Sequence, residues 1–210
     1  KHETSALDSL MSKLDKPEKL VILSDIEEGL KSNKRVKVKM GFDQHMGDLY
    51  PFTLNDKLAV ITELDEWYTE ENGNKSPWRK PIIPIEMISV LTNFSGNPSN
   101  FSVKGPVIGL FANQEIKLFN GPLFVDEEYQ IKKEIIALSQ SKRVETYWCM
   151  TSVYDKENIL VAECLLNQAF LKDSYKNYEQ ELKDISGLSN LDIKESSALV
   201  SCFGPIPAVP

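Results

Sequence analysis

The hydrophobic positions change their spacing near the middle of the chain. Before it, Leu7, Leu10, Met11 and Leu14 recur at helical intervals, as do Ile85, Ile88 and Leu91 to Thr92 in the segment IPIEMISVLTNF. The pattern predicts two N-terminal helices, Ala6 to Leu14 and Lys19 to Leu30, divided by Pro17. It also predicts a buried helix over Ile83 to Phe94, ended by SGNPSN. Thr62 and Asp65 have the spacing of a helix cap, so a further helix is expected from Thr62 to Gly73. After Val107 the chain reads as strands rich in β-branched and aromatic residues: Gln114 to Phe119, Tyr129 to Leu138, Val144 to Tyr154 and Leu160 to Lys172. Turns at Asn120-Gly121-Pro122, Gln140 to Lys142 and Asp155 to Asn158 make the sheet antiparallel. In the third strand, Glu145, Tyr147, Cys149, Thr151 and Val153 face one way, and Val144, Thr146, Trp148, Met150 and Ser152 the other. Neither face is wholly polar, so both should be covered. A last short helix is expected from Tyr178 (YEQELKDISGL), and the closing GPIPAVP excludes regular structure.

The organisation that follows is a helical arm and irregular lead-in over 1–56, a main domain over 57–175 and an extension over 176–210. With 210 residues, one sizeable core is the expectation. No apolar run approaches the ~20 residues that span a bilayer, and the charged first thirty positions do not read as a signal peptide. The opening Lys1 suggests that a native N-terminus extends further. Cys149, Cys164 and Cys202 lack metal-site spacing and are odd in number, which fits a reducing cytoplasm, where the Asn-x-Ser triplets at Asn74, Asn93 and Asn100 carry no sugar. A net charge of -7 with scattered cations argues against nucleic acid. The basic cluster KSNKRVKVK fits a solvated strand or loop, or the phosphates of a coenzyme A.

A buried helix followed by long antiparallel strands is the order of a hot-dog fold, an α+β architecture whose sheet wraps a central helix. PIIPIEMISVL resembles the start of the central helix in MaoC-like hydratases and dehydratases. QEIKLFNGPLFVDEEYQI resembles their following strand, with Phe119, Pro122 and Val125-Asp126 at the family's Phe, Pro and Gly-Asp turn, so Val replaces Gly. ETYWCMTSVYDKENILVAECLLNQ resembles the closing hairpin through Val161-Ala162. The resemblance covers about Leu58 to Lys172 and rests on the order of these motifs.

It also implies a site. ENGNKSPWR falls where these hydratases carry Gly-Asp-x-Asn-Pro-x-His: Gly73 and Pro77 match, whereas Asn74 stands at the catalytic Asp and Arg79 at the catalytic His. Hydration needs a carboxylate and an imidazole that exchange protons near neutrality. Asn74 has no useful basicity and Arg79 stays protonated, so the pair can bind a carbonyl but cannot cycle protons. The family's helix-start glycine is replaced by Ile85 or Glu86.

The candidate catalytic residues are therefore Glu86, an acid in an apolar helix whose burial would raise its proton affinity or which faces solvent at the helix start, and His45 beside Asp43, with Asn74 and Arg79 as binding groups. Trp78, Ile85, Met87 and Tyr68 are the substrate-binding candidates. Glu115 and Glu145 are expected to pair with Arg143 or Arg79. No metal or cofactor is implied, and a homodimer with a continuous sheet is.

Three functions remain open. One is a dehydratase-, hydratase- or isomerase-type enzyme acting on an acyl thioester or a related small carbonyl compound, in a biosynthetic pathway. Another is a pocket protein that binds an apolar molecule and templates its conformation or cyclisation. The third is a non-catalytic subunit of a hot-dog heterodimer.

Overall fold

Four long strands dominate the chain: β2 (Gly109–Leu118), β3 (Tyr129–Gln140), β4 (Val144–Tyr154) and β5 (Leu160–Leu171). They lie within a residue or two of the sequence-predicted positions, except that β2 starts five residues earlier. The computed structural model describes residues 9, 17, 19–48, 50–94 and 101–187. A short β1 (Val36–Val38), inside the basic cluster, completes an antiparallel sheet in the order β1-β3-β4-β5-β2. Between β1 and β2 the chain forms α1 (Leu54–Leu58) and α2 (Ile85–Asn93). A five-stranded sheet in this order, with the helix that precedes β2 packed on one face, is the hot-dog fold. The expected Ala6 to Leu14 helix and the GPIPAVP tail lie outside the described residues. No helix among those described is long and apolar enough to cross a membrane.

The face of β4 that carries Tyr147, Cys149, Thr151 and Val153 is concave and buried. α2 turns Met87, Ile88 and Leu91 onto one half of it, against Ile131, Val153 and Ala162. At about 1.5 Å per residue, the nine residues of α2 span far less than the 12 residues of β3 at about 3.4 Å each. The rest of that face needs another cover. Val21, Ile22, Leu23 and Ile26 supply it, packed with Ile135, Tyr147, Phe170 and Tyr178, the last from α3 (Tyr178–Ile185).

This cover corrects the expected Lys19 to Leu30 helix, which is a series of turns. Val21, Ile22 and Leu23 are all fully buried, which no single helix face accommodates. Their backbone is held from outside: the Glu145 carboxylate accepts from the amides of Val21 (2.9 Å) and Leu23 (3.0 Å), and Ile22 O accepts from Lys104 N (3.0 Å).

The Thr62 to Gly73 helix is also corrected, to two single 3-10 turns at Glu66–Tyr68 and Gly73–Lys75. Asp65, not Thr62, caps the first by accepting from Trp67 N (2.8 Å), and Thr69 is already extended. The reciprocal cap lies earlier. Thr53 and Asp56 exchange bonds at the start of α1, and the Thr53 bonds hold the Asp56 carboxyl below its usual range.

Candidate functional site

The loop that carries Asn74, Trp78 and Arg79 is built around Ser76, whose hydroxyl donates to Lys80 O (2.6 Å) and accepts from Lys80 N (3.2 Å). Arg79 N donates to Ser76 O (2.9 Å), which closes a turn that puts Arg79 in the left-handed region (φ 56). Beyond the turn the chain is strapped to the core on two sides: Ile82 N donates to Trp67 O (3.0 Å) and Ile83 N to Leu123 O (2.8 Å). At the loop's other end Gly73 lies against Pro81, and a Cβ on Gly73 would sit 2.4 Å from Pro81 Cβ. Gly73→Ala should therefore cost about 1–3 kcal/mol as the packed backbone shifts. Urea denaturation measures it, and a change below about 0.5 kcal/mol, the size of an ordinary surface substitution, would show that the close approach is not constraining.

The indole of Trp78 is 44% exposed and meets Trp67 (centroids 6.3 Å) and Phe124 (6.3 Å) edge to face. Gly121 lies beneath it; a Cβ there would be 3.5 Å from Trp78 Nε1. Asn74 and Arg79 are exposed on either side of Trp78 in the chain. Lys75 ties the loop to the Glu66–Tyr68 turn by an ion pair with Glu66 (3.0 Å).

Glu86 occupies the first turn of α2 with its side chain 49% exposed, and Lys57 Nζ lies 4.0 Å from Oε1. This corrects the idea that burial tunes its proton affinity, because the helix turns Glu86 outward. Ile85 beside it is 56% exposed. Met87 is corrected as a substrate contact: two residues on from Ile85 is about 200° around the helix, which puts it in the core, where its sulfur receives the Tyr50 hydroxyl (3.7 Å). Tyr68 is half-buried against the same core. Burial raises the pKa of its phenol, and the charges of Asp65 and Glu86 add to this. Burial is the largest of these causes and the Glu86 charge the smallest.

His45 bonds to the chain just ahead of α1. Its Nδ1 is 2.5 Å from Pro51 O, and Asp43 binds Asn55 Nδ2 (2.9 Å) rather than the imidazole, so the expected acid–histidine pairing is not formed. The arginine pairings are corrected too. Glu115 meets Lys117 (3.2 Å), and Glu145 is taken by backbone amides and by the Tyr178 hydroxyl (2.8 Å). Sequence reasoning missed Lys133, which is buried at 6% exposure. The signal was present: Tyr129, Ile131, Lys133 and Ile135 alternate into the concave face, so the row contains one cation.

Several solved structures are similar to this one. A MaoC-like dehydratase from Rhodospirillum rubrum is 14% identical, with a TM-score of 0.46, covering 72% of this chain and 97% of its own. The (R)-hydratase from A. caviae involved in PHA biosynthesis is 15% identical, with a TM-score of 0.45, covering 68% of this chain and 96% of its own. The C-terminally truncated HadBC (3R-hydroxyacyl-ACP dehydratase) complex from Mycobacterium tuberculosis is 10% identical, with a TM-score of 0.47, covering 68% and 96%. These neighbours come from the group that the sequence motifs resemble. No protein-family model and no curated protein sequence matches the chain.

Proposed function

We propose that this hot-dog chain acts on an acyl thioester or related small carbonyl compound at the loop and helix start, as a dehydratase-, hydratase- or isomerase-type enzyme with a replaced proton-transfer pair. What supports this reading is the exposed carboxylate of Glu86 on the first turn of α2, together with the half-buried Tyr68 phenol and the exposed Asn74, Trp78 and Arg79 of the preceding loop. Glu86 supplies a carboxylate base and Tyr68 a phenol that keeps its proton through neutrality, two functions that Asn74 and Arg79 lack. In a dehydration, Glu86 removes the proton next to the carbonyl and the charge moves onto the carbonyl oxygen. The Arg79 guanidinium and the Asn74 amide meet that charge; the pair then returns to form the C=C bond as the C–O bond breaks, Tyr68 protonates the departing hydroxyl to water, and the proton on Glu86 is passed back to Tyr68 through solvent. Trp78 and Ile85 offer apolar surface to the acyl group. We place this activity in biosynthesis in the cytoplasm.

The second reading, a protein that holds and shapes an apolar molecule without proton transfer, draws on the exposure of Asn74 and Arg79, neither of which cycles a proton. A short enoyl thioester separates the two. The enzyme reading expects loss of the conjugated absorbance; a raised melting temperature without turnover supports the binding reading, and neither effect removes both.

The homodimer belongs to the same proposal. β2 is a sheet edge of 10 residues, and Leu110, Phe111, Leu118 and Phe119 along it are exposed. Glu115, Lys117 and the register irregularity between Phe111 and Asn113 interrupt this edge, but its apolar ends offer surface to a second strand. Pairing β2 with its copy makes the sheet continuous and brings the partner near Gly121 and Trp78. Leu110→Lys combined with Phe119→Lys should convert a dimer to a monomer in light scattering, whereas an unchanged mass would place the interface elsewhere.

A further inference from the structure

Among the described residues, the buried apolar side chains form two separate clusters. Between the end of α2 and the N-terminal cover lies a cavity of about 240 Å³, walled by Phe94, Phe101, Phe111, Tyr147 and Leu166. At about 30 Å³ per water molecule it has room for roughly eight waters, the size of a small aromatic ring with a substituent. Glu86 is at the start of α2 and Phe94 follows its last residue, so the cavity and the loop site lie at opposite ends of the helix.

Lys133 lines this cavity from β3, together with the polar Asn93 and Gln168. Two other reactive side chains face the same space. Burial pushes the Cys149 thiol up to about 11, and it raises the Tyr147 phenol as well, whose hydroxyl donates to Gln168 Oε1 (2.5 Å). Both keep their protons at neutral pH. The same burial lowers the pKa of the Lys133 amine, so the amine is the one group of the three that gains nucleophile at neutrality.

We propose that this cavity takes a small apolar aldehyde or ketone and that Lys133 Nζ captures its carbonyl carbon as an imine. The amine lone pair forms the C–N bond while the carbonyl π pair moves to oxygen, which takes a proton. The hydroxyl of the resulting carbinolamine then leaves as water, the nitrogen loses its second proton and the C=N bond forms. Amine and carbonyl give imine and water, with no oxidant or reductant. The apolar wall holds the ring and restricts the water that would hydrolyse the product.

The test uses benzaldehyde with cyanoborohydride at pH 7 on the full chain, followed by peptide mapping. Cyanoborohydride reduces an imine to a stable secondary amine, which marks the lysine that formed it. Lys132 is an internal control, since it neighbours Lys133 but points to the opposite face of the sheet. Lys133 should carry at least tenfold more label than Lys132, in a reaction that saturates with benzaldehyde. Lys133→Met should lose that label while the remaining lysines label as before. Labelling of Lys132 and Lys133 to equal extents overturns the proposal, and so does the absence of label on Lys133. The wild-type ratio decides even where the variant does not fold. A protein that labels Lys133 but leaves enoyl thioesters untouched would retain this site and lose the loop-site reading.

Discussion

Glu145→Ala should lower the stability of the chain by about 3–5 kcal/mol, the range for stripping a partner from a buried charged network. Glu145 is at 0% exposure on β4, and its carboxylate accepts from Val21 N, Leu23 N and the Tyr178 hydroxyl. It therefore joins three separate parts of the chain: the N-terminal cover, the sheet and α3. Truncation loses three charge-assisted bonds and leaves two amides without partners beside the fully buried Val21 and Leu23, at about 1–3 kcal/mol for each stranded group. Glu145→Gln should lose about half as much, because its oxygen still accepts from one amide while its NH2 opposes the other. Tyr178→Phe removes one bond and should cost about 1 kcal/mol. Urea denaturation gives the three values. Limited proteolysis should show new cuts within residues 19–30 of Glu145→Ala before the sheet is attacked. A loss below about 1 kcal/mol for the alanine variant would mean that the segment is held by its apolar contacts alone.

The same carboxylate shows what the sequence could not disclose. Sequence separations of 124 and 122 residues divide Glu145 from Val21 and Leu23, so nothing local marks that stretch as turns, and an apolar run with acids around it reads as a helix. Where the covering partner is the sheet itself, the pattern sufficed. Ile85 to Leu91 and β3 have their periods set by one buried face each, while β4 and β5, buried on both faces, read as strands through their β-branched and aromatic content. Thr53–Asp56 and Thr62–Asp65 carry the same local signal. Only the first starts a helix: Leu54 and Leu58 turn into the core there, whereas Leu64 stays exposed and Trp67 and Tyr68 are only partly buried. At the site, the loop residues Asn74, Trp78 and Arg79 were legible from motif order. The outward turn of Glu86 was one of two readings open at the helix start, where a residue inside a continuous apolar pattern can still face solvent.

Glu86→Gln should reduce turnover of an enoyl or 3-hydroxyacyl thioester by about 10²–10⁴-fold, the usual contribution of a positioned general base. The substitution keeps the size of the side chain and its hydrogen-bonding reach but removes its basicity, and an exposed position on the first turn of α2 tolerates it without loss of stability. KM should change little, because substrate is held by Arg79, Asn74 and the Trp78 face. Arg79→Met should both raise KM and lower kcat, because the guanidinium holds the carbonyl and meets the charge that develops on its oxygen. Tyr68→Phe should lose rate in the direction where its phenol is the donor, and the wild-type rate should hold through neutral pH because burial, Asp65 and Glu86 together keep the phenol protonated. Lys57→Ala is the control for charge alone: its ammonium is 4.0 Å from Glu86, and both side chains face solvent, so the pair contributes under about 1 kcal/mol. Full activity in Glu86→Gln would remove this carboxylate from the mechanism. Loss of activity in Glu86→Gln and Tyr68→Phe together, with both variants folded and Lys57→Ala active, would assign proton transfer to Glu86 and Tyr68.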